Sequence, residues 1–175
     1  MSVLQPIDYI FGGEKMDIPV YNVMLNDDKK TVLVREKMAG FAATDKENMS
    51  SPDKVVTVMN GIFQCDRQAE EHVYVIALNT KCVPIGVFEV GHGNISGCYI
   101  GAREVFTRLC LVGAVYFVIV HNHPCGDCEP SADDKKTTQR FIECGELMAC
   151  HLADHIIIGN GCYYSFREKS DLKFV

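Results

Sequence analysis

The sequence has no apolar run long enough to span a membrane, no low-complexity tract and no internal repeat. It also lacks a basic excess: 17 Lys and Arg face 23 Asp and Glu, a formal net charge of −6. The first absence excludes a helical membrane protein. The charge balance disfavours general affinity for the phosphate backbone, so nucleic acid is not the expected partner. The short basic pairs Lys29-Lys30 and Lys135-Lys136 read as solvated faces. Met1 to Asp8 carries neither a charged start nor an apolar stretch, so no secretory leader is expected. Cysteine, by contrast, is abundant: nine, an odd number, several inside apolar runs. That pattern predicts buried, reduced thiols in a cytoplasmic protein.

At 175 residues, 47% hydrophobic and 23% charged, the chain has enough apolar material for one sizeable core. Residues 18–25 and 30–34 are strand-like runs around the turn signal Asn26-Asp27-Asp28, which predicts a β-hairpin. Residues 36–51 are small and polar and read as a linker. The division is therefore 1–45, an N-terminal hairpin extension and linker, and 46–175, the main domain. Ser51-Pro52 starts a helix with an apolar stripe at Val55, Val56, Val58, Met59 and Ile62. Residues 72–78 and 83–90 predict a second hairpin that ends at Glu89. Residues 102–111 read as a helix, and 115–120 as a strand covered on both faces. A long helix over 131–150, a strand over 154–159 and a short one over 162–166 follow. Alternation of strands and helices predicts an α/β fold of three layers, a central mixed sheet flanked by helices.

The chemistry concentrates in His121-Asn122-His123-Pro124 and the following Cys125-Gly126-Asp127-Cys128-Glu129-Pro130-Ser131-Ala132-Asp133-Asp134. In an extended chain His121 and His123 point to one side, beyond the end of a buried strand. Open α/β sheets place ligand sites at such ends. Ser131 is placed to cap the next helix, which sets Asp134 on its first turn, facing back toward the histidines. Two imidazoles, one carboxylate and one water complete a tetrahedral site with an open position. Hydrolysis also needs a carboxylate that is not a ligand. Glu89 is the candidate, because it breaks the apolar run Ile85-Gly86-Val87-Phe88-Glu89-Val90, where a lone buried charge would be costly. Glu104, beside Arg103 at a helix start, reads as a surface residue favoured by the helix dipole.

With Glu89, His121, His123, Ser131 and Asp134 together, residues 50–170 resemble the JAMM (JAB/MPN-type) metalloprotease fold, and within it the RadC-like branch. His121-Asn122-His123-Pro124, Gly126-Asp127, Pro130-Ser131, Asp154-His155-Ile156-Ile157-Ile158-Gly159, Arg103-Glu104 and Tyr164-Ser165 carry the likeness. It implies a curved mixed sheet between helices and one Zn²⁺ held by His121, His123 and Asp134. It further implies Glu89 as general base, Ser131 as support for the oxyanion, and hydrolysis of an amide bond in a peptide or protein. Cys125 and Cys128 stand where the branch usually has Ser and Pro, and Gly101-Ala102 where it typically has His-Pro. Residues 1–50 contain nothing like the helix-hairpin-helix of longer relatives, which weakens any link to DNA repair.

Two rival readings follow from the same residues. Pro124-Cys125-Gly126-Asp127-Cys128 matches half of the zinc deaminase signature, but none of the six histidines begins the required H-x-E. A non-catalytic scaffold of the same fold is the other, and the complete ligand set argues against it. Asp154-His155 reads either as a pair orienting a ligand imidazole or as a turn before a satisfied histidine. His72 and His92 read as strand-edge residues, Tyr163 and Tyr164 as packing, and Cys125 and Cys128 as thiols beside the metal loop.

Overall fold

A computed structural model describes residues 15–42, 48–94 and 97–174, with side chains described from 17 to 40 in the first segment. The 45/46 boundary expected from sequence lies outside the described residues. Seven strands form one sheet: β1 (Lys15–Leu25), β2 (Thr31–Ala42), β3 (His72–Leu78), β4 (Pro84–His92), β5 (Tyr116–Asn122), β6 (His151–Ile158) and β7 (Tyr163–Ser165). Four helices accompany them: α1 (Pro52–Phe63), α2 (Ala102–Val112), α3 (Ala132–Met148) and the short α4 (Phe166–Lys169). The strand order is β2-β1-β4-β3-β5-β6-β7. β1 runs parallel to β4 and β5 parallel to β6; the other neighbours are antiparallel, so the sheet is mixed.

Strand alternation divides the core into two. Val73, Val75 and Ala77 of β3 and Phe117 and Ile119 of β5 share one face with Val105, Phe106 and Leu109 of α2 and Phe141 and Ile142 of α3. Tyr74, Ile76, Leu78, Val118 and Val120 share the other with Val55, Val58 and Met59 of α1. A strand buried on both faces cannot alternate with polar residues, which is why 115–120 is apolar throughout. The expected three-layer α/β fold is present.

The hairpin expectation holds, but its partner strand runs on. β2 extends to Ala42, so 36–42 is strand and not linker. Its polar composition suits an outer strand, where charges such as Arg35 and Lys37 keep the edge from pairing with another chain. The hairpin also docks on the main sheet through Val20, the register partner of Val87, and it buries Ile18 in the α1-side core. α4 begins at Phe166, read from sequence as the last residue of the final strand, and was not expected. Ser165 caps it by accepting from the Glu168 N–H at 3.2 Å. No helix among the described residues is long and apolar enough to cross a membrane.

Candidate metal centre

β5 carries His121 as its penultimate residue, so the first imidazole sits inside the strand and not beyond it. The His123 N–H still donates to Ile158 O at 2.9 Å, extending the pairing with β6. Gly126 turns the chain, with φ +86 and its N–H on His123 O at 2.9 Å. Ser131 caps α3 in a capping box: its hydroxyl oxygen accepts from the Asp134 N–H at 3.1 Å, while its own N–H donates to Asp134 Oδ2 at 2.8 Å. The box holds Asp134 on the first turn, aimed at the histidines, as the spacing required.

The three expected ligands meet. His121 Nε2 lies 3.1 Å from His123 Nε2 and 3.3 Å from Asp134 Oδ1, and His123 Nε2 lies 3.6 Å from Asp134 Oδ2. One donor atom from each lies within 4.8 Å of the others, so the cluster could hold a metal ion.

Counting protons decides the tautomers. The Thr138 hydroxyl has one proton and gives it to Asp134 O at 2.7 Å. His155 Nδ1, at 2.6 Å from the same hydroxyl oxygen, must therefore donate. Burial pushes the fully enclosed His155 imidazole well below its ordinary pKa, so the ring is neutral and its Nε2 is an acceptor. That nitrogen lies 2.8 Å from His121 Nδ1, which then donates, leaving the His121 Nε2 lone pair for the cluster. His123 Nδ1 faces the Asp127 carbonyl at 2.8 Å and must donate as well. When both rings are neutral, two Nε2 lone pairs and a carboxylate thus converge on one point. This donor set fits a divalent cation. Burial works to raise the Asp134 carboxyl, but bonds to His121, His123 and Ser131 hold it far below the usual carboxylate range. The Asp134 carboxylate correspondingly raises the His123 imidazole.

Of the two residues given catalytic roles from sequence, Ser131 sits at the cluster and Glu89 does not. The Ser131 hydroxyl proton rests on Asp134 Oδ2 at 2.6 Å. Glu89 is the register partner of Tyr74, on the α1 side of the sheet, whereas His121 is the partner of Val73, on the α2/α3 side. A bulge at Val90 reverses the alternation of β4 just there, because Tyr74 pairs with Glu89 while Val73 pairs with Gly91. Glu89 instead reaches His72 Nδ1 at 2.8 Å, its side chain 46% exposed. β4 also continues past Glu89 to His92, so that carboxylate is not at the strand end.

The carboxylate on the ligand side is Glu71, which the sequence reading missed. It shares the parity of Val73 and Val75. Its N–H donates to Asn94 O at 3.2 Å and its carbonyl accepts from Gly93 N–H at 2.8 Å, extending the β3–β4 ladder by a residue. Burial raises its carboxyl above the ordinary value; His121 and His123 pull it down, and Asp134 pushes it up. Its field is that of the cluster. Asn122, buried between the two histidines, fixes the segment on both sides of Glu71: it accepts from the His72 N–H at 2.8 Å and donates to Glu70 O at 2.9 Å.

The loop thiols are separated. Cys125 is exposed, its Sγ 3.9 Å from Asp127 O. Cys128 faces Cys162 of the β6–β7 turn, and burial together with that neighbour pushes its thiol up to about 11. Neither metal-competent group among the described residues contains a cysteine. Of the Asp154-His155 pair, only His155 meets a ring of the cluster, that of His121. Asp154 accepts from Ser165 Oγ at 2.6 Å and Arg167 N at 3.0 Å, and so ties β7 and α4 to β6. Arg103 and Glu104 form an exposed pair at the start of α2, as expected.

Comparison with known proteins agrees with this geometry. The RadC-like JAB domain description matches residues 49–171. A UPF0758 protein of Clostridium acetobutylicum is 41% identical over 134 residues, 77% of this chain and 58% of its own length. A UPF0758 protein of Clostridium kluyveri is 38% identical over 138 residues, 78% and 59% respectively, and one of Clostridioides difficile is 43% identical over 93 residues, 53% and 40%. The chain spans less than two thirds of the length of these relatives. With the histidine strand β5 and the α3 capping box inside the matched region, the chain belongs to the RadC-like JAB domain family.

Proposed function

We propose that the chain is a zinc-dependent hydrolase that cleaves an amide bond of a peptide or protein, with Glu71 as its general base. The observation that carries this reading is the convergence of His121 Nε2, His123 Nε2 and Asp134 with tautomers already set for an ion. Two imidazoles and one carboxylate would leave room for a further ligand, and a nitrogen/oxygen set of this kind favours zinc. His121, His123 and Asp134 would hold such an ion, which would supply Lewis acidity to a water near neutral pH. Glu71 takes the proton of the attacking water on its carboxylate and returns it to the leaving amine nitrogen. Burial, with Asp134 adding to it, raises the Glu71 carboxyl, which helps it keep the proton between those two steps. Asp134 stays anchored by the Ser131 N–H, so the Ser131 hydroxyl is free to swing from Asp134 Oδ2 to the developing oxyanion.

The test is Glu71→Gln, assayed by mass spectrometry on peptide and isopeptide libraries beside a metal determination. Turnover should fall by at least about 10²-fold with the metal content intact. Full activity in Glu71→Gln, or loss in Glu89→Gln with Glu71→Gln spared, would overturn the assignment.

A further inference from the structure

A second group of metal-ligating side chains stands on the other face of the sheet. His72 and His92 are register partners at the open end of the β3–β4 pair. Their rings stack with centroids 4.1 Å apart. Each ring meets a carboxylate: His92 Nε2 lies 2.7 Å from Glu70 Oε2, and His72 Nδ1 lies 2.8 Å from Glu89 Oε1. One donor atom each from Glu70, His72 and His92 falls within 4.8 Å of the other two. Exposure leaves Glu70 and His92 free to close the remaining distance by a rotamer change. Glu89 on Nδ1 leaves Nε2 of His72 as its ligand nitrogen, the same carboxylate-to-imidazole device that orients metal-bound histidines elsewhere. Glu70 and His92 are exposed, so an ion can reach the group directly from solvent.

From this we infer that Glu70, His72 and His92 form a second site for a divalent transition ion of the Zn²⁺ or Co²⁺ class, distinct from the His121 cluster. Two imidazoles and a carboxylate suit such ions, whereas calcium and magnesium favour all-oxygen shells. The site has a mechanical link to the first. Glu70 and His72 flank Glu71, which strand alternation turns to the opposite face. Asn122, from the ligand strand, grips the backbone at both flanks. An ion bridging Glu70 to His72 and His92 would close residues 70–72 into a ring around the Glu71 backbone and hold that carboxylate at the first site.

Equilibrium dialysis of the metal-free chain against Co²⁺, with metal counted by mass spectrometry, tests this. The wild-type chain should take two ions. Glu70→Gln/His92→Gln should take one, as should His121→Ala/His123→Ala, and the combined variant none. Hydrogen exchange at the amides of 71–73 should slow by at least about tenfold on filling the second site in His121→Ala/His123→Ala, and not in Glu70→Gln/His92→Gln. A wild-type chain that takes one ion, lost wholly in His121→Ala/His123→Ala, would overturn the second site. So would Glu70→Gln/His92→Gln taking two. A failure of the His121 cluster registers instead as His121→Ala/His123→Ala binding as many ions as the wild type, so the two readings fail separately.

Discussion

Thr138 shows how far a single hydroxyl reaches. It is fully buried on α3 and touches no candidate ligand ring, yet its one proton dictates the state of His155 and, through it, of His121. Thr138→Val keeps the shape and removes the relay. Metal affinity, measured by competition with a chromophoric chelator, is expected to fall about 10–100-fold, and Thr138→Ser to restore it. Asn122 acts on the other partner. Asn122→Ala strands the His72 N–H and the Glu70 carbonyl, costing about 1–3 kcal/mol in a denaturant melt. If the proposed hydrolysis with Glu71 as base holds, the change loosens Glu71 and not the His121 cluster, so kcat should drop while the metal content stays; a parallel loss of both would show that Asn122 supports β5 instead. Both residues lie in legible stretches, but nothing in the one-dimensional pattern says which backbone they grip.

At the scale of elements, the centre is built from the end of β5, the first turn of α3 and the loop between them, and that loop is held by the β6–β7 turn. The Asn160 N–H donates to Gly126 O at 2.9 Å, and Cys162 Sγ lies 3.7 Å from the same oxygen. Gly159 permits this approach. A Cβ there would meet the Gly126 carbonyl oxygen, Cys162 Sγ at 2.8 Å and Cys128 N at 3.1 Å. Gly159→Ala should therefore push the loop outward and shift His123, seen as weaker metal binding in the same chelator assay and a lower Tm. An unchanged affinity would mean that the loop and the ligand strand move independently. The order β5, α3, β6 was legible because an apolar run, an N-cap and a second apolar run follow one another. The bulge at Val90 was not, since one extra residue in a strand leaves no compositional mark. Unbroken pairing of Gly86–Glu89 with Tyr74–Ala77 keeps Glu89 on the α1 face with Val87, ahead of the bulge and away from the His121 cluster. Glu71 lay hidden in the polar stretch Gln68-Ala69-Glu70-Glu71, where two adjacent acids look alike until a strand gives them opposite faces.

For the molecule as a whole, stability rests on two cores separated by the sheet, and both back the centre. Phe117→Ala would open the α2/α3 side and should cost about 3–5 kcal/mol by denaturant unfolding. Ile18→Ala is the sharper measurement. If the N-terminal hairpin is a working part of the sheet, this fully buried residue should cost about 2–5 kcal/mol, like any core position; a near-zero change would mark the hairpin as an appendage. Metal linkage is a global readout too. An ion that binds only the folded chain should raise Tm with concentration, by about 2.7 kcal/mol of stability at 100 times Kd, and the gain should shrink in His121→Ala/His123→Ala.

The sequence by itself determined the α/β class, nearly every strand and helix, and the trio His121, His123 and Asp134, because each rests on local order: period-two and helical patterns, a cap, and ligands close along the chain. Tertiary structure alone decided the rest. The faces of Glu71 and Glu89 depend on strand register. The tautomers depend on a relay that joins α3, β6 and β5. The pairing of Cys128 with Cys162, the docking of the hairpin on β4 and the grouping of Glu70, His72 and His92 bring together residues from different strands and loops. Such contacts are set by which strands become neighbours, a property of the packed sheet that no local stretch of sequence carries.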